Sequence, residues 1–315
     1  MINPTARDLA RRPPTEPLQR RGSLKPLKTV SLLQAHPYVN ILLIGPYGAG
    51  KTILAGSAAA DPRIKRVLYM DFDDGTMSLQ PVEPDQISLE HAEKIRVKPI
   101  KNFMVDLNET TRYLEETAKP GFLEDDEFPK FDCIILDSLD ESQKLLMEGI
   151  RREDNDAARE TARKMGKNPD EIFPGRADWS DYGVNSTVLK SCIRRIKALP
   201  CHLIVTCKDQ DKDDETTHTR QLLLPRSLAF DIPGLFDEVL WIAQETRSNR
   251  EEKKREIVHV LHCKTEPGGA RIAKDRSRRL PAEIEWPTMT KIFDYLHIAT
   301  NTEATEEETH ANTHP

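Results

Sequence analysis

From residue 39 onward, short apolar runs alternate with longer polar stretches. "VNILLIG" (39–45), "RVLYMDF" (66–72), "FDCIILDS" (131–138) and "HLIVTC" (202–207) are nearly uninterrupted runs of Ile, Leu and Val. Such runs read as strands buried on both faces. "KIRVKPI" (94–100) reads as a short strand, and "LFDEVLWIAQE" (235–245) contains another. "REIVHVLHCK" (255–264) alternates as an exposed strand does, which predicts a closing antiparallel hairpin over 238–264.

Helical patterns lie between these runs. "KTILAGSAAADP" (51–62) is Ala-rich and stops at Asp61-Pro62. "VDLNETTRYLEETAK" (105–119) and a long polar stretch from about 139 to 166 also read as helices. Over 182–199, Val184, Val188, Leu189, Cys192, Ile193 and Ile196 share one side of a helix. Strands separated by helices imply a mostly parallel sheet covered on both faces, with an antiparallel C-terminal extension. The chain shows no internal repeat and no second core. The predicted organisation is an arm at 1–36, one α/β domain at 37–297 and a tail at 298–315.

The junction of the first strand and first helix is "GPYGAGKT": Gly45, Pro46, Tyr47, Gly48, Ala49, Gly50, Lys51, Thr52. Glycines at these positions let a loop turn its backbone N–H groups onto phosphate oxygens, and the helix N-terminus adds its positive dipole end. In that arrangement Lys51 reaches the β- and γ-phosphates and the Thr52 hydroxyl ligates Mg²⁺. Strand before and helix after are the context this spacing requires. A glycine turn that binds nothing is the plainer alternative.

Composition narrows the class. The charged residues are 31 % and the net charge is −6, so the whole molecule is not an evident nucleic-acid binder. The charge is unevenly placed, however. Residues 1–30 hold seven Lys/Arg against two acids, "RIAKDRSRR" (271–279) five against one, and 301–315 four Glu with no Lys or Arg. A basic arm, a basic loop and an acidic tail bear on a polyanionic partner, although solvated ends also read this way. No run of about 18 apolar residues predicts a membrane span. The first residues lack the apolar core of a secretory signal. Five cysteines without metal-type spacing read as reduced thiols of a cytoplasmic protein.

Two acidic sites follow apolar strands. "CIILDS" places Asp137 straight after a buried run, where a carboxylate serves Mg²⁺ beside a phosphate loop. An Asp that merely ends a strand is the alternative. "VLYMDFDDG" ends in Asp71, Asp73 and Asp74, whose proximity raises their proton affinities unless a cation is near. Asp73 is the preferred residue to orient an attacking water, although any of the three fits an ordinary turn.

In order, the chain runs through the phosphate loop, the acidic second strand, "IILDS", "DWSDYG", "LIVTCK", "DEVLWI" and "AKDRSRRLP". Over about residues 36–290 it resembles the RecA-type core ATPases of bacteriophages, P-loop ATPases of AAA type related to RecA and RadA that act in recombination or single-strand annealing. The resemblance implies ATP and Mg²⁺ as cofactors, single-stranded DNA as partner, a ring or filament of identical subunits, and a host-cytoplasmic location. A single-stranded-DNA-binding protein is a further candidate partner. In RecA the water-orienting acid is a Glu; Asp73 is one methylene shorter, a departure that bears on hydrolysis rate. By resemblance to RadA, Lys274 and Arg276 of "KDRSR" reach the γ-phosphate of a neighbouring subunit; a solvated or DNA-contacting loop is the alternative. The family also places a γ-phosphate sensor near Thr206, Lys208 and Gln210, and a DNA-facing mobile loop over 209–227. Arg151, Arg152, Arg159, Arg163 and Lys164 offer another DNA surface. Trp179 and Tyr182 suit either base stacking or anchoring in the core. Two other function classes remain open: a nucleotide-dependent switch or scaffold with a protein partner and no DNA role, and a kinase-like phosphotransferase, for which no Arg-rich lid is evident.

Overall fold

The computed structural model describes residues 38–81, 87–171, 177–214, 217–249, 254–265, 271 and 273–298. The basic arm, and the acidic tail beyond Ile298, lie outside the described residues. The centre is a ten-stranded sheet. Strands β1 (Asn40–Gly45), β2 (Val67–Asp71), β3 (Ile95–Pro99), β4 (Cys133–Asp137) and the first half of β5 (His202–Asp214) run parallel in the order β3-β2-β4-β5-β1. On the other side of β1, β7 (Glu238–Asn249) also runs parallel to it. Then β8 (Lys254–His262) and β10 (Glu283–Glu285) close that edge antiparallel. This is the mostly parallel, RecA-like P-loop architecture with an antiparallel C-terminal extension.

Period-two alternation sends each strand's apolar residues to two cores. Leu42, Ile44, Leu68, Met70, Ile134, Leu136, Leu203 and Val205 face one side. There they meet α3 (Phe103–Thr117), the start of α4 (Leu139–Lys164) and α5 (Trp179–Lys197). Ile41, Leu43, Val67, Tyr69, Ile135 and Ile204 face the other side. Their partners are α1 (Lys51–Gly56) and α7 (Met289–Leu296). Full burial of one such side chain contributes about 1.5–3 kcal/mol, so the continuous apolar runs are the main source of the sheet's stability. Helix α7 was not predicted. Arg63 anchors it, pairing with Asp61 at 2.7 Å and with Asp294 at 2.7 Å, its guanidinium carbon 5.7 Å from the Phe293 ring centre.

The sequence motif "DWSD" is a helix start. Asp178 accepts from the backbone N–H groups of Ser180 and Asp181, and the Asp181 carboxylate accepts from Asp178 N, a reciprocal cap that satisfies free donors of the first turn of α5. On that helix Leu189, Cys192, Ile193 and Ile196 are buried as expected, but Val184 is exposed. Asn185 takes the inward position there, donating to the Gln143 carbonyl at 3.0 Å. The exposed Trp179 and Tyr182 are not core anchors. All five cysteines are buried free thiols.

The segment 209–227 is not the loop expected of it. β5 runs on past the sheet edge, and Asp209–Asp214 pairs antiparallel with β6 (Thr217–Leu222), followed by α6 (Arg226–Asp231). On the opposite flank, β7 outruns β1 in the same direction and pairs with β8 as far as Asn249↔Lys254. Two hairpins therefore project past the carboxyl ends of the parallel strands, with the end of β1 between them.

Candidate active site

Ligands of open α/β sheets bind beyond the carboxyl ends of the strands. Four ends meet here in register, with Gly45 beside Lys208 and Asp71 beside Asp137. Gly45 has to be glycine, because a Cβ would lie 2.3 Å from the Ile242 carbonyl oxygen of β7. Gly50, at φ +95°, turns the chain through the left-handed region to begin α1. Lys51 is buried and donates from Nζ to the carbonyls of Gly45 and Pro46, each at 2.8 Å, which ties the loop to its own helix. Burial pulls its pKa below the ordinary lysine range, with Asp137 acting in the opposite direction. The projecting β7–β8 hairpin braces the loop from outside: Gln244 Nε2 donates to the Gly48 carbonyl at 3.1 Å, and His259 Nδ1 lies 3.0 Å from the Ala49 carbonyl.

Asp137 is the hub on the inner side. Thr52 donates its hydroxyl to Oδ2 at 2.7 Å. Tyr69 donates to the same oxygen and Thr206 to Oδ1. Three hydroxyls thus orient a buried carboxylate directly beneath the phosphate loop. The donor set around it is all oxygen, which suits a hard divalent cation. Mg²⁺ keeps several waters and takes one or two protein ligands plus phosphate oxygens. Thr52 and Asp137 fit that requirement without a closed protein cage. Among the described residues no group of three or more His, Cys, Asp or Glu forms such a cage.

The three acids of the second strand separate. Asp71 is buried and accepts from Gly75 N at 3.2 Å. Asp74, at φ +58°, turns outward to pair with Lys101. Asp73 is left facing the site, 3.7 Å from Lys208 Nζ. Burial, then the charge on Asp137, raise its proton affinity, and Lys208 offsets part of that. Gly75 makes room for it, since a Cβ there would lie 2.9 Å from Asp73 Oδ1.

Lys208 is the second centre. Its Nζ lies 3.3 Å from Asp140 and 3.2 Å from Glu141, and 4.7 Å from the ring centre of Tyr47 in the phosphate loop. Burial opposes its charge, yet Asp140 and Glu141 hold the ammonium above the ordinary lysine range. Of the other sensor candidates, Thr206 serves Asp137, whereas Gln210 is spent on the hairpin, donating to the Leu222 carbonyl at 3.1 Å.

Lys274 and Arg276 lie elsewhere. They belong to and follow β9 (Lys274–Asp275), which pairs with Glu238 and Val239 at the start of β7. That is the amino edge of the sheet, level with Ile41 and Leu42 and about 10–13 Å of strand short of Gly45 at about 3.3 Å per residue. Lys274 Nζ donates to the Phe236 carbonyl at 2.6 Å. Arg276 pairs with Asp237 at 2.7 Å while more than half of its side chain stays exposed. Neither residue reaches the phosphate loop of this chain.

Comparison with known proteins bears on this geometry. A family model described as an AAA domain matches residues 38–277. The chain belongs to that family. The match spans every residue of this AAA domain placed at the carboxyl edge, Lys51, Thr52, Asp73, Asp137 and Lys208 among them. No curated protein matches the chain. Among solved structures, it is similar to the flagellar accessory protein FlaH from Methanocaldococcus jannaschii at 14 % identity, covering 79 % of this chain and 84 % of that one with a TM-score of 0.36. The AAA domain and its fold make this a P-loop ATPase domain of RecA-like architecture.

Sequence reasoning missed Tyr69, Asp140, Glu141, Gln244 and His259. Tyr69 sits mid-strand in an apolar run and signals only packing. Asp140 and Glu141 were legible as acids in the first turn after Asp137, a position that faces the same edge. Gln244 and His259 reach the loop only through a hairpin whose register the sequence did not give away.

Proposed function

We propose that the protein hydrolyses ATP at this edge and acts on single-stranded DNA as an assembly of identical subunits. The reading rests most on one observation: Lys51, Thr52, Asp137, Asp73 and Lys208 come from four different strand ends and converge on one loop. Phosphates entering the loop meet the N–H groups that open α1 and the Lys51 ammonium. Thr52 and Asp137 would hold Mg²⁺, which would supply positive charge against the charge developing on the phosphates. Tyr69 and Thr206 keep the Asp137 carboxylate aimed. Lys208 is positioned to exchange its carboxylate partners for the γ-phosphate. Asp73, with its raised proton affinity, is suited to hold a proton of the attacking water. Asp73→Asn is expected to keep ATP affinity and to slow turnover by about 10²–10⁴-fold, the range for loss of a positioned base. Glu141→Gln is the paired control. A normal rate in Asp73→Asn with a collapsed rate in Glu141→Gln would transfer the role to Glu141.

For DNA, the helix α4 carries its first turns into the core and continues as a mostly polar helix, 26 residues in all, about 39 Å at 1.5 Å per residue. Arg151, Arg152 and Arg159 line one depression on it together with Glu148, Asn155 and Asp156. Trp179, 94 % exposed, and Tyr182 stand at the start of α5, which packs on α4. Basic groups on one helix and exposed aromatics on the helix packed against it suit a strand whose bases are unpaired. ATP turnover should rise with single-stranded DNA. Binding should weaken steeply with salt, and Arg152→Ala with Arg159→Ala should lower the log–log salt slope by about 0.7 per lost contact. No affinity for single strands at low salt, with an ATP analogue present, would leave the switch reading in its place.

A further inference from the structure

Beside the phosphate loop, the loop-bracing His259 is paired with an exposed tryptophan that has no part in the site above. Trp286 follows β10 with φ at +47°, a left-handed conformation that a bulky side chain adopts only when its surroundings impose it. Three contacts impose it here. Trp286 N donates to the His259 carbonyl at 2.8 Å, Lys291 Nζ donates to the Trp286 carbonyl at 2.8 Å, and the Trp286 ring lies 5.5 Å from the His259 ring. The indole is nonetheless 47 % exposed, so this constraint does not serve burial. His259 is the residue whose Nδ1 holds the Ala49 carbonyl of the loop, and its ring lies where a Cβ on Gly50 would be 3.3 Å away.

The two flanks of the loop are chemically unlike. β5 and β7 lie on opposite sides of β1. The β5 side carries Asp137, Asp73, Glu141 and Lys208, the groups suited to the reacting end of a phosphate chain. The β7–β8 side carries His259 and Trp286. Between them the first turn of α1 exposes Ile53, an apolar step out of the loop. A nucleotide whose γ-phosphate faces Lys208 leaves the loop by its other end, toward the aromatic flank.

We infer that Trp286, held by His259, is the platform on which the nucleobase stacks, so that one hairpin grips both the phosphate loop and the base. This rests on the nucleotide reading above and adds where the base lies. A π-face accepts any base, so the site selects purines over pyrimidines by stacking area rather than by hydrogen-bond pattern.

The test measures binding of Mg²⁺-ATP and of Mg²⁺-tripolyphosphate, which has no base, to the full chain. For Trp286→Ala the ATP dissociation constant should rise about tenfold or more, the scale of one lost base–aromatic stack, while that for tripolyphosphate stays within about twofold. Trp286→Phe should recover part of the loss, because a smaller ring still stacks. Of the three tryptophans, Trp241 is buried and Trp179 starts α5, so fluorescence quenching by ATP but not by tripolyphosphate should vanish in Trp286→Phe. Unchanged ATP affinity in Trp286→Ala overturns the inference and leaves the nucleotide reading standing. Equal losses for both ligands overturn it too, since Trp286 would then only support the loop. Wild-type protein that binds neither ligand overturns both.

Discussion

Lys51→Ala is expected to bind Mg²⁺-ATP about 10–100-fold more weakly and to show no turnover above background. The loss has two sources. Nζ is desolvated and carries its charge toward the loop interior, where a charge-assisted bond to phosphate is worth about 1.5–3 kcal/mol. The same ammonium bridges the Gly45 and Pro46 carbonyls at 2.8 Å, so its removal also loosens the backbone that has to enclose the phosphates. The helix α1 keeps its buried Leu54 and Ala55, and the melting temperature should change little. Calorimetric titration with ATP and a phosphate-release assay read the two effects. Wild-type turnover in this variant would reject the phosphate-loop assignment.

Arg276→Ala is expected to reduce turnover by about 10³–10⁵-fold without lowering ATP affinity in proportion, the range for a cation supplied to the transition state by a partner. A heterologous interface joins two unlike surfaces, so an assembly that set this amino edge against a neighbour's carboxyl edge would bring Arg276 to that neighbour's loop. Arg276 is bound to Asp237 on one side but keeps most of its surface open, and an exposed pair of this kind contributes at most about 1 kcal/mol to stability. Lys274 is committed to the Phe236 and Pro233 carbonyls and is the weaker candidate of the two. Mixing decides the matter. Lys51→Ala supplies intact fingers, Arg276→Ala supplies intact loops, and the mixture should recover activity that neither has alone. A fully active Arg276→Ala, or a mixture no better than its parts while subunits exchange, would leave 271–279 as a solvated or DNA-contacting loop.

The legible part of the molecule was the part that is buried. Ile41 to Ile44, Cys133 to Leu136 and Leu203 to Val205 are apolar because both faces of the parallel sheet are covered, and such runs announce themselves. The loop and Asp137 were legible because their chemistry demands residue types at set spacings. The β5–β6 hairpin was not. "DQDKDD" paired with "THTRQL" lies past the end of β1, carries no alternating apolar run in its sequence, and its acids read as a loop. Helix α7 was missed because "MTKIFDYL" is short and finds its apolar partners, among them Ala58 and Ile64, more than 200 positions earlier in the chain. Asp73 was already the preferred acid of its cluster, and the structure adds that Asp71 closes on Gly75 and Asp74 on Lys101. The Lys208 cluster was half legible, because its acids lie on an adjacent helix turn whose direction only packing sets.

The central claim is that Asp137, oriented by Thr52, Tyr69 and Thr206, serves a cation on a nucleotide in the loop. ATP hydrolysis by Asp137→Asn, measured against magnesium concentration beside the wild type, tests it most directly. The amide keeps the size and one acceptor oxygen but loses the charge. The account predicts turnover lower by about 10²–10³-fold, the scale of one removed transition-state partner, with a magnesium dependence shifted to higher concentration. Wild-type turnover with an unshifted magnesium dependence would contradict it.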